Sequence, residues 1–229
     1  MRLELADVRC ERPVPGGSSA RVGPLGFSVE PGVTAILRGG TAAERNLVLH
    51  LVGLMAAPDS GELWLDGQPT SGLDDAGRAA LRARHFGFVF AEPFLLSGLS
   101  VAENVAMPLF RAGDAEVEAV RAEVEALLER VGAGGLAEAS AEALTPWEQQ
   151  RVALARALAN RPAFLLLESL DRHADAAERA AFLAVARRAA PGAAILATSS
   201  EEADGLRGDL AYRLVDGRAE RETAGPALS

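Results

Sequence analysis

The sequence contains no lysine; all 23 of its basic residues are arginine. That excludes the ammonium group on which phosphate-gripping loops of the G-x-x-x-x-G-K-[ST] type depend. The absence reflects coding-DNA composition and carries no functional weight by itself. Cysteine occurs once, at Cys10, which excludes an internal disulfide and fits a reducing cytoplasm. No run of about 18 apolar residues occurs, and Met1-Arg2-Leu3-Glu4-Leu5 lacks the apolar core of a signal peptide. Direct membrane insertion is therefore not expected, and a membrane role would come through a partner. The 32 acidic residues outnumber the basic ones and leave a net charge of −9, which argues against a nucleic-acid partner because phosphate backbones demand basic faces. There is no internal repeat and no low-complexity linker.

What is present is an ordinary globular composition, 49 % apolar and 24 % charged over 229 residues, enough for one large domain or a domain with a subdomain. Strands are predicted at Leu3–Val8, Arg21–Val29, Val33–Leu37, Gly61–Gly67, Phe86–Phe90, Phe164–Leu167, Ala193–Ala197 and Leu210–Val215. Helices are predicted at Arg45–Met55, Asp74–Arg84, Pro146–Ala159 and Ala176–Arg188. From Val101 to Leu136 the texture is helical, with Val117, Val120, Val124, Leu127, Leu128 and Val131 on one stripe and Glu and Arg opposite. Strands alternating with helices imply a mixed, mostly parallel sheet flanked by helices. The expected division is one cassette-like domain, with 1–90 and 160–229 as its core and 91–159 as an inserted helical subdomain.

Between the strand at Val33 and the helix at Arg45 lies Gly39-Gly40-Thr41-Ala42-Ala43-Glu44-Arg45-Asn46. The place is right for a phosphate loop, but Glu44 stands at the second glycine, Arg45 at the lysine and Asn46 at the magnesium-binding hydroxyl.

Other stretches carry a resemblance. Leu49–Gly61 reads L-H-L-V-G-L-M-A-A-P-D-S-G, Phe86–Leu109 reads F-G-F-V-F-A-E-P-F-L-L-S-G-L-S-V-A-E-N-V-A-M-P-L, and Leu144–Leu158 reads L-T-P-W-E-Q-Q-R-V-A-L-A-R-A-L. In order and spacing the chain resembles the nucleotide-binding subunit of ATP-binding-cassette (ABC) transporters, and most resembles the lipoprotein-release and macrolide-export branch. The resemblance implies an α/β ABC-type P-loop ATPase fold and a place for each family residue. The magnesium-sensing glutamine falls at Ala91, the Walker B carboxylate at Glu168 and the catalytic glutamate at Ser169, which cannot serve as a carboxylate base. The switch histidine falls at Ser199, the D-loop aspartate at Asp175, and the adenine-stacking aromatic near Arg12, whose guanidinium could stack. The signature loop, which in the family caps the partner's nucleotide, becomes Thr145-Pro146-Trp147-Glu148. Pro146 has no amide proton, and Trp147 brings a bulky ring suited to a partner contact.

Thr41-x-x-Glu44 and Thr145-x-x-Glu148 both read as capping boxes, in which threonine accepts the N3 amide and glutamate reaches back to the N-cap amide. Glu44 then satisfies the amides and helix dipole that a phosphate would engage. One like-charge contact near 4 Å costs roughly 4 kcal/mol at an effective dielectric near 20, about a thousandfold in affinity. Arg45 could offset part of this.

The expected function is a pseudo-ATPase subunit of an ABC-type membrane complex, peripheral on the inner face of the cytoplasmic membrane. It would dock on a permease subunit and pair with a second, intact ATPase subunit; by the resemblance Phe94, Leu95 and Leu96 border the docking groove, or else they pack a hinge inside the domain. No cofactor is expected, with ATP and magnesium weak at most through Gly39, Gly40, Thr41, Arg45 and Asn46, or through Thr145 and Glu148. No catalytic set and no metal site are expected: His50, His85 and His173 lack ligand spacing. Two alternatives stand beside this, an active ATPase in which Arg45 replaces lysine and Glu168 does double duty, and a soluble scaffold without a transporter.

Overall fold

The computed structural model describes residues 1–110, 116–170, 175–200 and 206–222. Its strands divide into two sheets where the sequence suggested one. Strand β1 (Leu3–Pro13) pairs antiparallel with β2 (Ser19–Val29) on one side and β4 (Ser60–Leu65) on the other, and the short β5 (Gln68–Pro69) completes the order β2-β1-β4-β5. The second sheet has six strands. Strands β3 (Thr34–Gly39), β6 (Phe86–Val89), β7 (Phe164–Leu167), β8 (Ala194–Thr198) and β9 (Leu210–Val215) pair in parallel, and β10 (Arg218–Arg221) adds an antiparallel edge, giving β10-β9-β3-β8-β7-β6.

The side-chain alternation of the central strands explains the layering. Phe164 and Leu166 of β7, with Leu196 of β8, face a core shared with Leu3, Val22 and Leu25 of the antiparallel sheet. Into that core helix α1 (Ala42–Val52) inserts Leu47 and Leu51. Leu165 and Leu167 point the other way, into a core built with helices α3 (Val101–Phe110), α4 (Val117–Arg130), α5 (Pro146–Leu158) and α6 (Ala176–Ala189). Strands buried on both faces are continuously apolar, as Phe164–Leu167 is. Each fully buried leucine contributes about 1.5–3 kcal/mol relative to exposure.

The antiparallel sheet needs one irregularity. Between Leu5 and Val8 the register of β1 shifts, and Asp7 adopts a left-handed backbone with φ 55°. Opposite it, a Cβ on Gly61 would lie 2.3 Å from the Asp7 carbonyl oxygen, so only glycine passes there. Several boundaries differ from expectation. Helix α1 begins three residues before Arg45, because Thr41 caps it, and stops at Gly53 rather than Met55. Helix α2 (Asp75–His85) follows its N-cap Asp74, whose carboxylate accepts the Gly77 amide at 2.7 Å. Among the described residues no helix is long and apolar enough to cross a membrane.

Candidate functional site

Strand β3 ends in two left-handed glycines, Gly39 (φ 72°) and Gly40 (φ 56°), which turn the chain into α1. Thr41 is the N-cap. Its Oγ1 accepts the Glu44 amide at 3.2 Å, while one Glu44 carboxylate oxygen accepts both the Thr41 amide at 2.7 Å and the Thr41 hydroxyl at 2.9 Å. The same oxygen lies 3.1 Å from where a Cβ on Gly40 would sit, so the carboxylate rests against the glycine turn. Sequence reasoning allowed Arg45 to offset Glu44, but among the described residues its hydrogen bonds go to the loop instead. It is only 6 % exposed, and its Nη1 donates to the carbonyls of Gly39 and Gly40, both at 2.9 Å. Arg45 Nε, Asn46 Oδ1 and Ser199 Oγ are buried without hydrogen-bond partners among the described residues.

Helix α5 starts in the same way. Thr145 Oγ1 accepts the Glu148 amide at 3.3 Å and donates to Glu148 Oε2 at 2.7 Å, and that oxygen accepts the Thr145 amide at 2.8 Å. Those bonds hold the Glu148 carboxyl below its ordinary pKa, the Thr145 hydroxyl foremost and the Thr145 amide second. Pro146 follows at the first helical position. The device recurs in this chain, though α2 and α4 lack it. Asp175 and Glu178 close the same reciprocal ring at the start of α6, and Ser100 and Glu103 do so at α3.

Trp147 departs from expectation. Its ring is half-buried and packs on Phe182 of α6, with centroids 5.3 Å apart, because the turn of helix after Thr145 points it at the α6 core rather than at solvent. Arg12 is also committed. It donates to Asp59 at 2.7 Å and to the Ala57 carbonyl at 2.6 Å, so its guanidinium is held at its edge by fixed acceptors. It lines a groove of about 760 Å³ along the flank of α1 together with Asn46, His50, Arg78 and Arg82.

The segment after β6 is tied to α5 and β7. Gln150 Nε2 donates to the carbonyls of Phe90 (3.1 Å) and Ala91 (2.8 Å), and the Ala91 amide reaches Glu168 Oε2 at 3.4 Å. Glu168 thus faces the backbone of Ala91. Ser169 is left-handed (φ 46°) and gives its amide to Thr198 Oγ1 at 2.9 Å. Ser199 is fully buried. Ala91, Glu168, Ser169 and Ser199 follow the carboxyl ends of β6, β7 and β8. Sequence reasoning missed Gln150 and the Arg45 contacts to the glycine carbonyls. An amide side chain in the second turn of α5 was the available signal for the first, and nothing local signals the second.

A second surface lies by Phe94 and Leu96, which are exposed, whereas Leu95 packs against the helical core. His50 and His85 are half-buried, and His173 lies outside the described residues. Among the described residues no group of three His, Cys, Asp or Glu is placed to hold a metal.

A parallel sheet whose third strand runs through a glycine turn into a buried helix, with an antiparallel sheet on one face and a helical layer on the other, defines a cassette-type nucleotide-binding-domain fold. The fold matches the dimeric ATP-binding cassette MJ0796 in a post-hydrolysis state bound to ADP and Pi, with TM-score 0.83 over 96 % of this chain and 97 % of that one at 24 % identity. CbiO1 from Clostridium perfringens, part of the cbiONQ transporter complex, matches with TM-score 0.80 at 22 % identity over 95 % of this chain and 86 % of that one. The family model described as ABC transporter matches residues 22–169, and the chain belongs to that family. Among curated relatives, it is 39 % identical over 153 residues to the lipoprotein-releasing system ATP-binding protein LolD of Bordetella pertussis, covering 65 % of this chain. That alignment spans 66 % of the relative, just under two thirds of its length. LolD of Maricaulis maris is 37 % identical over 194 residues, covering 83 % of this chain and 84 % of the relative.

Proposed function

We propose that this chain is a nucleotide-silent cassette subunit of an ABC-type membrane transporter, docking on a membrane-embedded subunit and pairing with a second, intact ATPase subunit. In this reading 1–90 with 160–229 forms the core and 91–159 the helical subdomain, and the chain lies peripherally on the inner face of the cytoplasmic membrane through its partner. The observation that carries the proposal is the Glu44 carboxylate on the Thr41 amide, with Arg45 folded back onto the Gly39 and Gly40 carbonyls. A magnesium-bound triphosphate fits these residues poorly. The amide it would use already has a carboxylate, and the cation that would neutralise it is directed at the loop's own oxygens. Asn46 offers no hydroxyl to magnesium, Ser169 offers no carboxylate base, and Pro146 offers no amide to a partner's nucleotide.

Reciprocal caps also open α3 and α6, so capping alone does not distinguish α1. What distinguishes α1 is the residue doing it, since Glu44 stands where a phosphate loop carries its second glycine. Turnover is the direct test. The purified chain, assayed alone with ATP and magnesium, is expected to show no phosphate release above that of the Glu168→Gln variant. A rate that Glu168→Gln abolishes would support a second reading, an active ATPase with divergent motifs. That reading draws on the left-handed Gly39–Gly40 turn, which keeps the shape of a phosphate loop, and on the ATP-binding names of the curated relatives.

A further inference from the structure

Two arginines share one register position beside the glycine turn. Arg38 on β3, directly before Gly39, is paired with Arg213 on β9, directly before Leu214. Like charges facing one another across neighbouring strands destabilise a sheet. Between them stands Glu222, just past the end of β10, whose amide donates to the Ala211 carbonyl at 2.8 Å. One Glu222 carboxylate oxygen accepts Arg213 Nε and Nη2, both at 3.0 Å, and the other lies 3.9 Å from Arg38 Nη1. The Arg38 and Glu222 side chains are only 22 % and 24 % exposed, so solvent screens this pair weakly. Arg38 Nη2 donates to the Leu206 carbonyl, and its Nε is buried with no hydrogen-bond partner among the described residues. The cluster is a half-buried double cation, filled by one carboxylate, with one donor still unused. Guanidinium forks take phosphate and carboxylate oxygens alike.

The same stretch of β9 backs the turn. A Cβ on Gly39 would lie 2.8 Å from the Leu214 carbonyl oxygen and 3.3 Å from Arg213 Cγ, and one on Gly40 would lie 2.8 Å from Leu214 Cδ2. Strand β9 is therefore a wall against Gly39 and Gly40 without room for one more carbon. Arg38 and Arg213 each precede, by one residue, the groups that touch across this gap. Whatever holds the two guanidiniums together also fixes the turn against its wall.

We infer that Arg38 and Arg213 form an oxyanion site which the chain fills with its own Glu222, and that filling it holds the Gly39–Gly40 turn in place. The ligand class is a small oxyanion, a carboxylate or an inorganic phosphate. A tethered carboxylate acts at high effective concentration and excludes the free ion, so the site takes an external oxyanion once Glu222 is withdrawn. The inference stands whether or not the turn binds nucleotide, because it concerns the contact between the turn and β9.

The test is chemical rescue of the full-length Glu222→Gln variant by inorganic phosphate, against sodium chloride at matched ionic strength so that screening is equal. Without phosphate the variant is expected to melt about 2–4 °C below the unaltered chain, and its Gly39, Gly40 and Thr41 amides to exchange about tenfold faster. Phosphate, and not chloride, is expected to restore both and to shift the Arg38 Nε–H resonance, while the unaltered chain responds to neither salt. The double variant Arg38→Gln, Glu222→Gln is expected to gain nothing from phosphate. Should Glu222→Gln fold only partly, Glu222→Asp, which draws the carboxylate back by one methylene, carries the same comparison. Equal rescue by chloride would reduce the cluster to a screened ion pair and overturn the inference. Equal rescue of the double variant would place the phosphate elsewhere, and turn amides unchanged in Glu222→Gln would show that Glu222 does not hold the turn; either result would overturn it too.

Discussion

Glu44 and Thr41 close a ring: the threonine oxygen takes the glutamate amide at 3.2 Å, and the glutamate carboxylate takes the threonine amide at 2.7 Å. A helix start that is complete in this way has less to gain from an anion, because the orphan amide and the positive end of the dipole already have one. If the ring and the folded-back Arg45 keep triphosphate out, removing them should let it in. The triple variant Glu44→Gly, Arg45→Lys, Asn46→Ser is expected to bind ATP about a hundredfold to a thousandfold more tightly than the unaltered chain, by equilibrium dialysis. An unchanged affinity would show that the loop is not what limits binding.

Removing the Glu44 carboxylate alone has a structural cost. Glu44→Ala leaves the Thr41 amide without its carboxylate, and the loss of one side of a cap is worth about 1 kcal/mol. Urea denaturation is expected to show a lower midpoint with an unchanged slope.

Acid should release the cap of α5. Glu148 has a pKa held below its ordinary value by the Thr145 hydroxyl and then the Thr145 amide. A carboxyl with a lowered folded-state pKa contributes stability above its unfolded value, near 4.3, and loses it as pH falls through the folded value. Glu103, whose pKa is lowered by the Ser100 amide and hydroxyl, behaves alike at α3. Hydrogen exchange of the first-turn amides of both helices is expected to be flat from neutral pH to about 5 once corrected for intrinsic rates, and to accelerate only below about 4. Acceleration centred above pH 5 would contradict the assignment.

Phe94 offers a stability test with an unusual sign. Glycine adopts φ 47° freely, whereas a bulky L-residue pays about 1–2 kcal/mol there. The 67 % exposed ring contributes little internal packing to set against that. Phe94→Gly is therefore expected to hold or raise the melting temperature, as measured by thermal denaturation. A clear fall in melting temperature would mean the ring stabilises the isolated fold.

Trp147 and Phe182 form the tie between the start of α5 and α6. Trp147→Ala is expected to cost about 1–3 kcal/mol, less than a fully buried aromatic because the ring is only half-buried. Chemical denaturation measures it.

Parts of this fold were legible because one stretch of chain sufficed to specify them. Phe164–Leu167, a continuous apolar run between Pro162 and Glu168, is a strand with those bounds, and Leu210–Val215 likewise. The T-x-x-E caps were legible because the ring they close spans four residues. The division into two sheets was not, since alternation of strands and helices does not say which strands pair. Strand β10 escaped notice because Arg218–Arg221 is polar and sits at an edge, although Asp216-Gly217, with φ of 46° and 79°, marks the hairpin that forms it. Trp147 was misplaced for a related reason. Its partner Phe182 lies on another helix, and a capping pattern fixes where a helix begins without fixing what its faces meet. Arg45 was legible as a replaced lysine but not as a donor to the loop behind it, because a long side chain's direction depends on the curl of that loop.

Calorimetric titration of the unaltered chain with ATP and magnesium tests the central claim most directly. The account predicts no saturable heat below about 1 mM ATP, the level expected when roughly a thousandfold of affinity is lost from a micromolar site. A saturating isotherm with a micromolar midpoint, abolished by substituting Arg45, would contradict it.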